Sequence, residues 1–212
     1  MSRVAHVDIG GLLSGRNRPD GASGVTRRRG SARARDPAGR TDERTGVARI
    51  FYDTEFIEDG TTIELVSVGA VDEQGREFYA ISTEFDPEHA GPWVRRHVLD
   101  KLPSPSDPAW CTRVALREAF YGFVTASEGD VELWAWYAAY DHVAIAQLWG
   151  AMPELPRALP RFTRDLRQRW EDVGRPELPP PPADAHDALA DARHNLRRWE
   201  VIDRRWRQLG AS

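Results

Sequence analysis

Three runs of β-branched and aromatic residues follow one another closely: ARIFYDTEF from Ala48, TIELVSVGAVD from Thr62 and REFYAISTEF from Arg76. The turn compositions EDG and EQG mark the breaks between them. A parallel crossover needs roughly a dozen connecting residues or more. Connections this short therefore require an antiparallel meander. The pattern after it alternates between helical periodicity and short apolar runs. WCTRVALREAFYGFVTAS sets Val114, Phe120, Phe123 and Val124 at helical spacing. VELWAWY reads as a strand and YDHVAIAQLWG as the helix that follows it. PRFTRDLRQRWEDVG reads as a short strand or extended entry into another helix. PELPPPP, residues 176–182, is a stiff loop that cannot be helical. HDALADARHNLRRWEVIDRRWRQ is a long closing helix. A meander followed by strand–helix units predicts an α/β protein with a mixed five-stranded sheet flanked by helices.

Of the 212 residues, 1–48 carry Gly, Arg, Ser and Asp without either periodicity, so a disordered Arg/Gly-rich leader is expected before a single domain over 49–212. The net charge of −4 is uneven: residues 1–49 hold roughly +6 and the remainder roughly −10. The leader arginines Arg27, Arg28 and Arg29 are read as a solvated tail rather than an RNA-contacting arm. Acids gathered at a metal site are neutralised by the ions they hold, so the acidic body does not exclude a nucleic-acid enzyme. The single cysteine, Cys111, excludes an internal disulfide and a four-cysteine zinc site. No apolar run approaches the roughly 20 residues that span a bilayer, and no secretory h-region is present. A cytoplasmic protein without a membrane segment is the expectation.

The chemistry lies in three short segments. Asp53 and Glu55 are two apart on a strand, so both side chains leave the same face. Carboxylates gathered at one point repel each other unless a cation lies between them. Hard oxygen ligands favour Mg²⁺ or Mn²⁺ over zinc. Asp141 stands where a helix opens, and there an N-cap role worth about 1 kcal/mol competes with metal binding. Asp191 lies on the closing helix four residues after Asp187, with His186 five residues before it. Asp187 is expected to cap that helix or stay solvated, and His186 to act on water beside the metals rather than to hold them. Such a set suits metal-assisted cleavage of a phosphodiester. Trp134 and Trp136 alternate on a strand and should share a packing face, in the core or between subunits. Phe56, next to Glu55, is the aromatic best placed to stack on a base. His142 reads as structural or peripheral, and His6, His89, His97 and His194 have no constellation around them.

D-x-E at Asp53 and Glu55, a central Asp141 at a helix start, and H-x-x-x-x-D at His186 and Asp191 resemble the DEDDh 3′→5′ exonucleases. The wording of RIFYDTEFIEDGTTIELVSVGAV, ELWAWYAAYDHVAIAQLWG and PRFTRDLRQRWEDVG is similar to the actinobacterial polyadenylate-specific exoribonucleases, the RNase AS family. The similarity runs over roughly residues 49–203. It implies an RNase H-like fold and two Mg²⁺ ions, replaceable by Mn²⁺. These would be held by Asp53, Glu55, Asp141 and Asp191, with Asp53 shared between them and His186 as general base. Asp53, Thr54, Glu55 and Phe56 would hold the terminal nucleotide. The implied partners are adenylate-rich RNA 3′ ends and a second copy in a homodimer, and the products nucleoside 5′-monophosphates. Two alternatives stand beside this reading. One is a related exonuclease acting on single-stranded DNA or short oligoribonucleotides. The other is an inactive fold that binds RNA, against which the complete acid set and the histidine argue.

Overall fold

A computed structural model describes residues 46–210. The expected leader lies outside the described residues, apart from its last three. Val47 and Ala48, placed in that leader by sequence, belong instead to the first strand, β1 (Val47–Glu58), where they pair with Asp130 and Val131. β1, β2 (Ile63–Asp72) and β3 (Glu77–Ser82) form the antiparallel meander. β5 (Asp130–Ala135) joins the other edge of β1 in parallel, and the two-residue β6 (Arg164–Asp165) joins β5 in parallel. These are the five expected strands.

A sixth, β4 (Trp110–Cys111), lies parallel against β3 and gives the order β4-β3-β2-β1-β5-β6. Sequence periodicity had placed both of its residues in a helix. That helix, α2 (Arg113–Thr125), starts one residue beyond Thr112, whose hydroxyl accepts from the Ala115 N–H. A threonine cap of this kind satisfies one of the free donors at a helix start, and the two residues before it remain extended. Within α2 the buried positions are Leu116, Phe120 and Val124, whereas Val114, expected on the core face, is exposed. The result is a mixed α/β sheet, an antiparallel meander extended by parallel strands and flanked by helices, as the sequence led one to expect.

The alternation of β1 divides the core. Ile50 and Tyr52 face α2 and α3 (Ala139–Ala146), packing with Leu116, Phe120, Ala144 and Ile145. Phe51 faces the other way, onto α4 (Leu166–Asp172) and α5 (Ala188–Gly210), packing with Leu166, Ala192 and Ile202. A smaller cluster of Ile57, Val66, Ala90 and Val98 seats the segment around α1 (Pro92–His97) beside the far end of β1. One backbone approach decides where α5 begins. A Cβ on Gly69 would run into the backbone of Ala188 and Leu189. Gly69 pairs with Asp53, so the start of α5 lies directly over that strand pair. Among the described residues, no helix is long and apolar enough to cross a membrane.

Candidate active site

β5 accompanies β1 only from Val47 to Phe51. Beyond Phe51 one edge of β1 has no strand beside it, and the start of α3 takes that place. The N–H of Thr54 donates to Asp141 Oδ1 at 2.8 Å, and the Thr54 hydroxyl donates to the same oxygen at 2.7 Å. Asp141 thus stands in for a strand carbonyl, and it is buried. It is not the helix cap: Ala138 holds that position, and Asp141 lies in the first turn. The N-cap role that competed with metal binding for Asp141 is therefore absent. The turn before α3 is fixed from β6, where Asp165 Oδ2 accepts from the Ala138 N–H at 3.0 Å. Asp165 Oδ1 meanwhile caps α4 through the N–H groups of Arg167 and Gln168. Sequence reading passed over Asp165, although an Asp immediately ahead of a helical run is a recognisable cap signal.

Asp53 and Glu55 leave the face of β1 that looks toward α5. His186 precedes that helix in the left-handed region (φ 68°), an uncommon conformation outside glycine that His, like Asn and Asp, adopts more readily than most side chains. Its N–H donates to Asp191 Oδ2 at 2.7 Å. Asp187 caps the helix by accepting from the Ala190 N–H at 2.9 Å. Glu55, His186 and Asp191 each offer a ligand atom within 4.8 Å of the others. The histidine ring is backed by α1: it stands edge-on to Trp93 at 4.8 Å between centroids and 6.1 Å from His97. His142, read as structural or peripheral, bonds Thr163 through Nδ1 at 3.1 Å and stays outside this group.

Asp53, Thr54, Glu55, Phe56, Asp141, His186 and Asp191 all line one cleft of about 620 Å³. The structure also brings aromatic side chains to it that sequence did not single out for the site. Tyr140 stacks on Phe56, with centroids 5.9 Å apart and planes within 10°. Trp93, Tyr137 and Tyr140 are each more than half exposed at the rim. Trp136, expected to continue the strand, lies beyond the end of β5 in the turn before α3. It still packs against the same cluster as Trp134, and it reaches the cleft wall. Arg198 lies 4.3 Å from the centre of its ring and donates to Asn195 Oδ1 at 2.9 Å. Asn195 in turn donates to the Tyr52 carbonyl, tying α5 to β1. Arg198 was also missed, yet the spacing Asp191, Asn195, Arg198 is i, i+4, i+7 and marks one helix face.

The electrostatics follow from burial and crowding. Asp53 is held well above the usual carboxylate range, first by burial and then by Asp141, Glu55 and Asp191, against the partial relief of Arg198. Glu55 is pushed up to about 8, by burial first and then by Asp191 and Asp141, with Lys101 opposing. Burial also raises Asp141, although its two bonds from Thr54 oppose the rise. Asp191 is raised by burial, against the His186 N–H bond. His186 is lowered, mainly by burial, so its ring is neutral at pH 7 and free to accept a proton. An all-oxygen acid set whose members resist ionising beside one another fits a hard divalent cation, which would supply the missing positive charge. The hollow between α4 and α5 differs, because its one glutamate, Glu132, is already bridged to Arg49 and Arg164.

Comparison with known proteins bears on this cleft. Two curated proteins of Mycobacterium tuberculosis, the 3′-5′ exoribonuclease MT2234.1 of strain CDC 1551 / Oshkosh and the 3′-5′ exoribonuclease Rv2179c of strain H37Rv, are each 61% identical over 155 residues. Each alignment covers 73% of this chain and 92% of the relative. A solved structure of S. pombe Pop2p in its Mg²⁺ and Mn²⁺ bound form matches 73% of this chain and 82% of that one. Its identity is 12% and its TM-score 0.46, a likeness too slight to support a conclusion. The family described as the 3′-5′ exoribonuclease Rv2179c-like domain matches residues 48–203, a span that holds every residue of the cleft. By that match and by its identity to the mycobacterial relatives, the chain belongs to the Rv2179c-like 3′-5′ exoribonuclease domain family.

Proposed function

We propose that this protein is a divalent-metal-dependent 3′→5′ exoribonuclease that trims adenylate-rich RNA 3′ ends and releases nucleoside 5′-monophosphates. The observation that carries the reading is the meeting of Asp53, Glu55, Asp141 and Asp191, drawn from three separate elements, beside His186 in one cleft. Asp53, Glu55 and Asp191 would hold one Mg²⁺ or Mn²⁺ and share Asp53 with a second, which Asp141 supports. When bound, such ions neutralise phosphate charge and lower the pKa of water.

The chain's own groups do the rest. His186 accepts a proton from the attacking water, whose oxygen bonds to the terminal phosphorus as the bond to the preceding 3′-oxygen breaks. Thr54 keeps Asp141 in place from the opposite face of β1. The stacked Phe56 and Tyr140 offer a flat apolar surface at the cleft, and stacking a base on an aromatic is worth roughly 1–3 kcal/mol. Adenine presents the large purine face that such a surface favours; the adenylate preference itself rests on the family resemblance.

Equal-length RNAs ending in oligo(A), oligo(U) or oligo(C), together with an oligodeoxyadenylate, distinguish the possibilities in Mg²⁺ and in EDTA. The expected result is metal-dependent AMP release, fastest from oligo(A). Equal rates on all four would reduce the protein to an unselective exonuclease. Metal-independent release would remove the acid cluster from the mechanism.

A further inference from the structure

His186 is carried by a segment with few attachments. Residues 177–186 contain four consecutive prolines and no helix or strand. Among the described residues, hydrogen bonds reach this segment from outside at three points: Asp187, whose N–H donates to the Asp184 carbonyl; Asp191, which accepts from the His186 N–H; and Lys101, the one partner that comes from a distant segment. Lys101 Nζ donates to the Ala185 carbonyl at 2.6 Å, immediately before His186. Lys101 is the only lysine in the chain. It ends the short turn Leu99–Lys101 that follows α1, and that turn has a firm base. Val98 is buried, and Leu99 and Leu102 pack with it against Ile57 and Val66 of the sheet. The same segment supplies the rings behind the histidine. Trp93 stands against His186, and His97 stacks on Trp93 at 4.6 Å. The His97 Nδ1–H donates to the Trp93 carbonyl at 2.9 Å, which fixes the orientation of its ring.

We propose that Lys101 is a positioning residue for His186. By tethering the Ala185 carbonyl to the α1 segment, it holds the proline-rich approach so that the imidazole stays between Trp93 and the carboxylates of Glu55 and Asp191. Proline supplies no N–H to anchor the approach through its own backbone. A tether on the adjoining carbonyl acts at the point where displacement would carry the ring farthest from the acids. An ammonium suits the task because it donates strongly to a carbonyl and leaves no acceptor to compete for nearby protons. The inference rests on the exoribonuclease reading only in making His186 the group whose position matters.

The test uses the full chain with Lys101→Met and Lys101→Arg, each alone and combined with His186→Ala. Single-turnover release of AMP from oligoadenylate in Mg²⁺ and hydrogen exchange of the His186 amide in RNA-free protein are both measured. Lys101→Met should slow single turnover on the order of 10–100-fold, the scale of a misplaced catalytic group, with RNA affinity and melting temperature unchanged. Lys101→Arg should recover most of the rate, and Lys101→Met should add nothing once His186 is alanine, because residues acting as a unit are not additive. The His186 amide should exchange faster in Lys101→Met. A full Lys101→Met penalty in the His186→Ala background would overturn the proposal, as would weakened RNA binding with a shallower salt dependence, since either marks a direct contact with RNA. Unchanged exchange at His186 would overturn it independently of activity. If the unmodified protein released no mononucleotide, the exoribonuclease reading would fall, and the exchange measurement would still decide the tether.

Discussion

Asp53 faces three other carboxylates and one guanidinium, and that imbalance sets what its replacement should do. Asp53→Asn is nearly isosteric and removes one of the repelling charges. Without metal, the variant should melt higher than the original protein, by on the order of 1 kcal/mol, the worth of a single pKa unit. It should lose turnover, and it should lose the rise in melting temperature that Mn²⁺ gives to a protein binding it only when folded. Thermal scans in EDTA and in Mn²⁺ check this, and a normal Mn²⁺ response would remove Asp53 from the ligand set. His194, three residues beyond Asp191, gives a different residue-scale expectation. It is buried, its Nδ1 lacks a hydrogen-bond partner among the described residues, and burial with Arg198 and Arg197 nearby depresses it from 6.5 to about 4. The unfolded chain therefore binds more protons than the folded one between those two values. The contribution of a neutral His194 is complete above about 6.5 and is lost progressively as the pH falls toward about 4. Melting temperature should decline less steeply across that window in His194→Gln. Parallel curves for the two proteins would show that His194 takes no part in the decline.

At the scale of elements, the site depends on how closely α5 approaches the sheet. Gly69 permits that approach, and Arg193 fixes the register by donating from both Nε and Nη2 to Glu77 of β3 at 2.7 Å each. A bidentate pair of this kind is geometrically specific as well as attractive, and Arg193 holds the Glu77 carboxyl below its ordinary range. Gly69→Ala puts a methyl group where the backbone of Ala188 and Leu189 already lies. Overpacking of this type costs about 1–3 kcal/mol, and the strain falls on the segment that carries His186 and Asp191. The variant should fold with a lower melting temperature and lose most of its turnover, while oligoadenylate binding through the β1 end weakens less. Unaltered turnover with a lowered melting temperature would show that α5 can shift without disturbing the acids.

For the whole molecule, the sheet begins at Val47, and the Gly46 carbonyl accepts from the Asp130 N–H at 3.1 Å. A chain starting at Gly46 should therefore keep the melting temperature and the rate on short oligoadenylates. On long RNA, arginines in residues 1–45 that contact phosphates would steepen the loss of affinity with salt relative to the shortened chain. Equal slopes would agree with a segment that does not bind, whereas a steeper slope for the full chain would make it part of the RNA surface.

The meander, the alternation of strands and helices, and the seven cleft residues from Asp53 to Asp191 were legible in the sequence. The meander and the shared face of Asp53 and Glu55 depend on local spacing, through turn residues between strands and period two along β1; that Thr54, Phe56, Asp141, His186 and Asp191 belong with them followed from the family resemblance. Trp110 and Cys111 misled because a two-residue strand leaves no periodicity, and Val114 because one apolar residue at helical spacing can face either way. For Asp141 a helix cap stayed open as a competing role because the sequence does not show that β5 ends opposite Phe51, leaving the Thr54 N–H to be satisfied by a carboxylate. The same holds for Gly69, Arg198 and Lys101. A small residue and an ammonium have no distinctive pattern in the chain, and the spacing of Arg198 shows only that it shares a helix face with Asp191. Their roles arise from what lies across from them: the backbone of α5, the ring of Trp136 and the carbonyl of Ala185. Local spacing determined which side chains share a face; only tertiary packing decided which faces meet, because those contacts join segments far apart in the sequence.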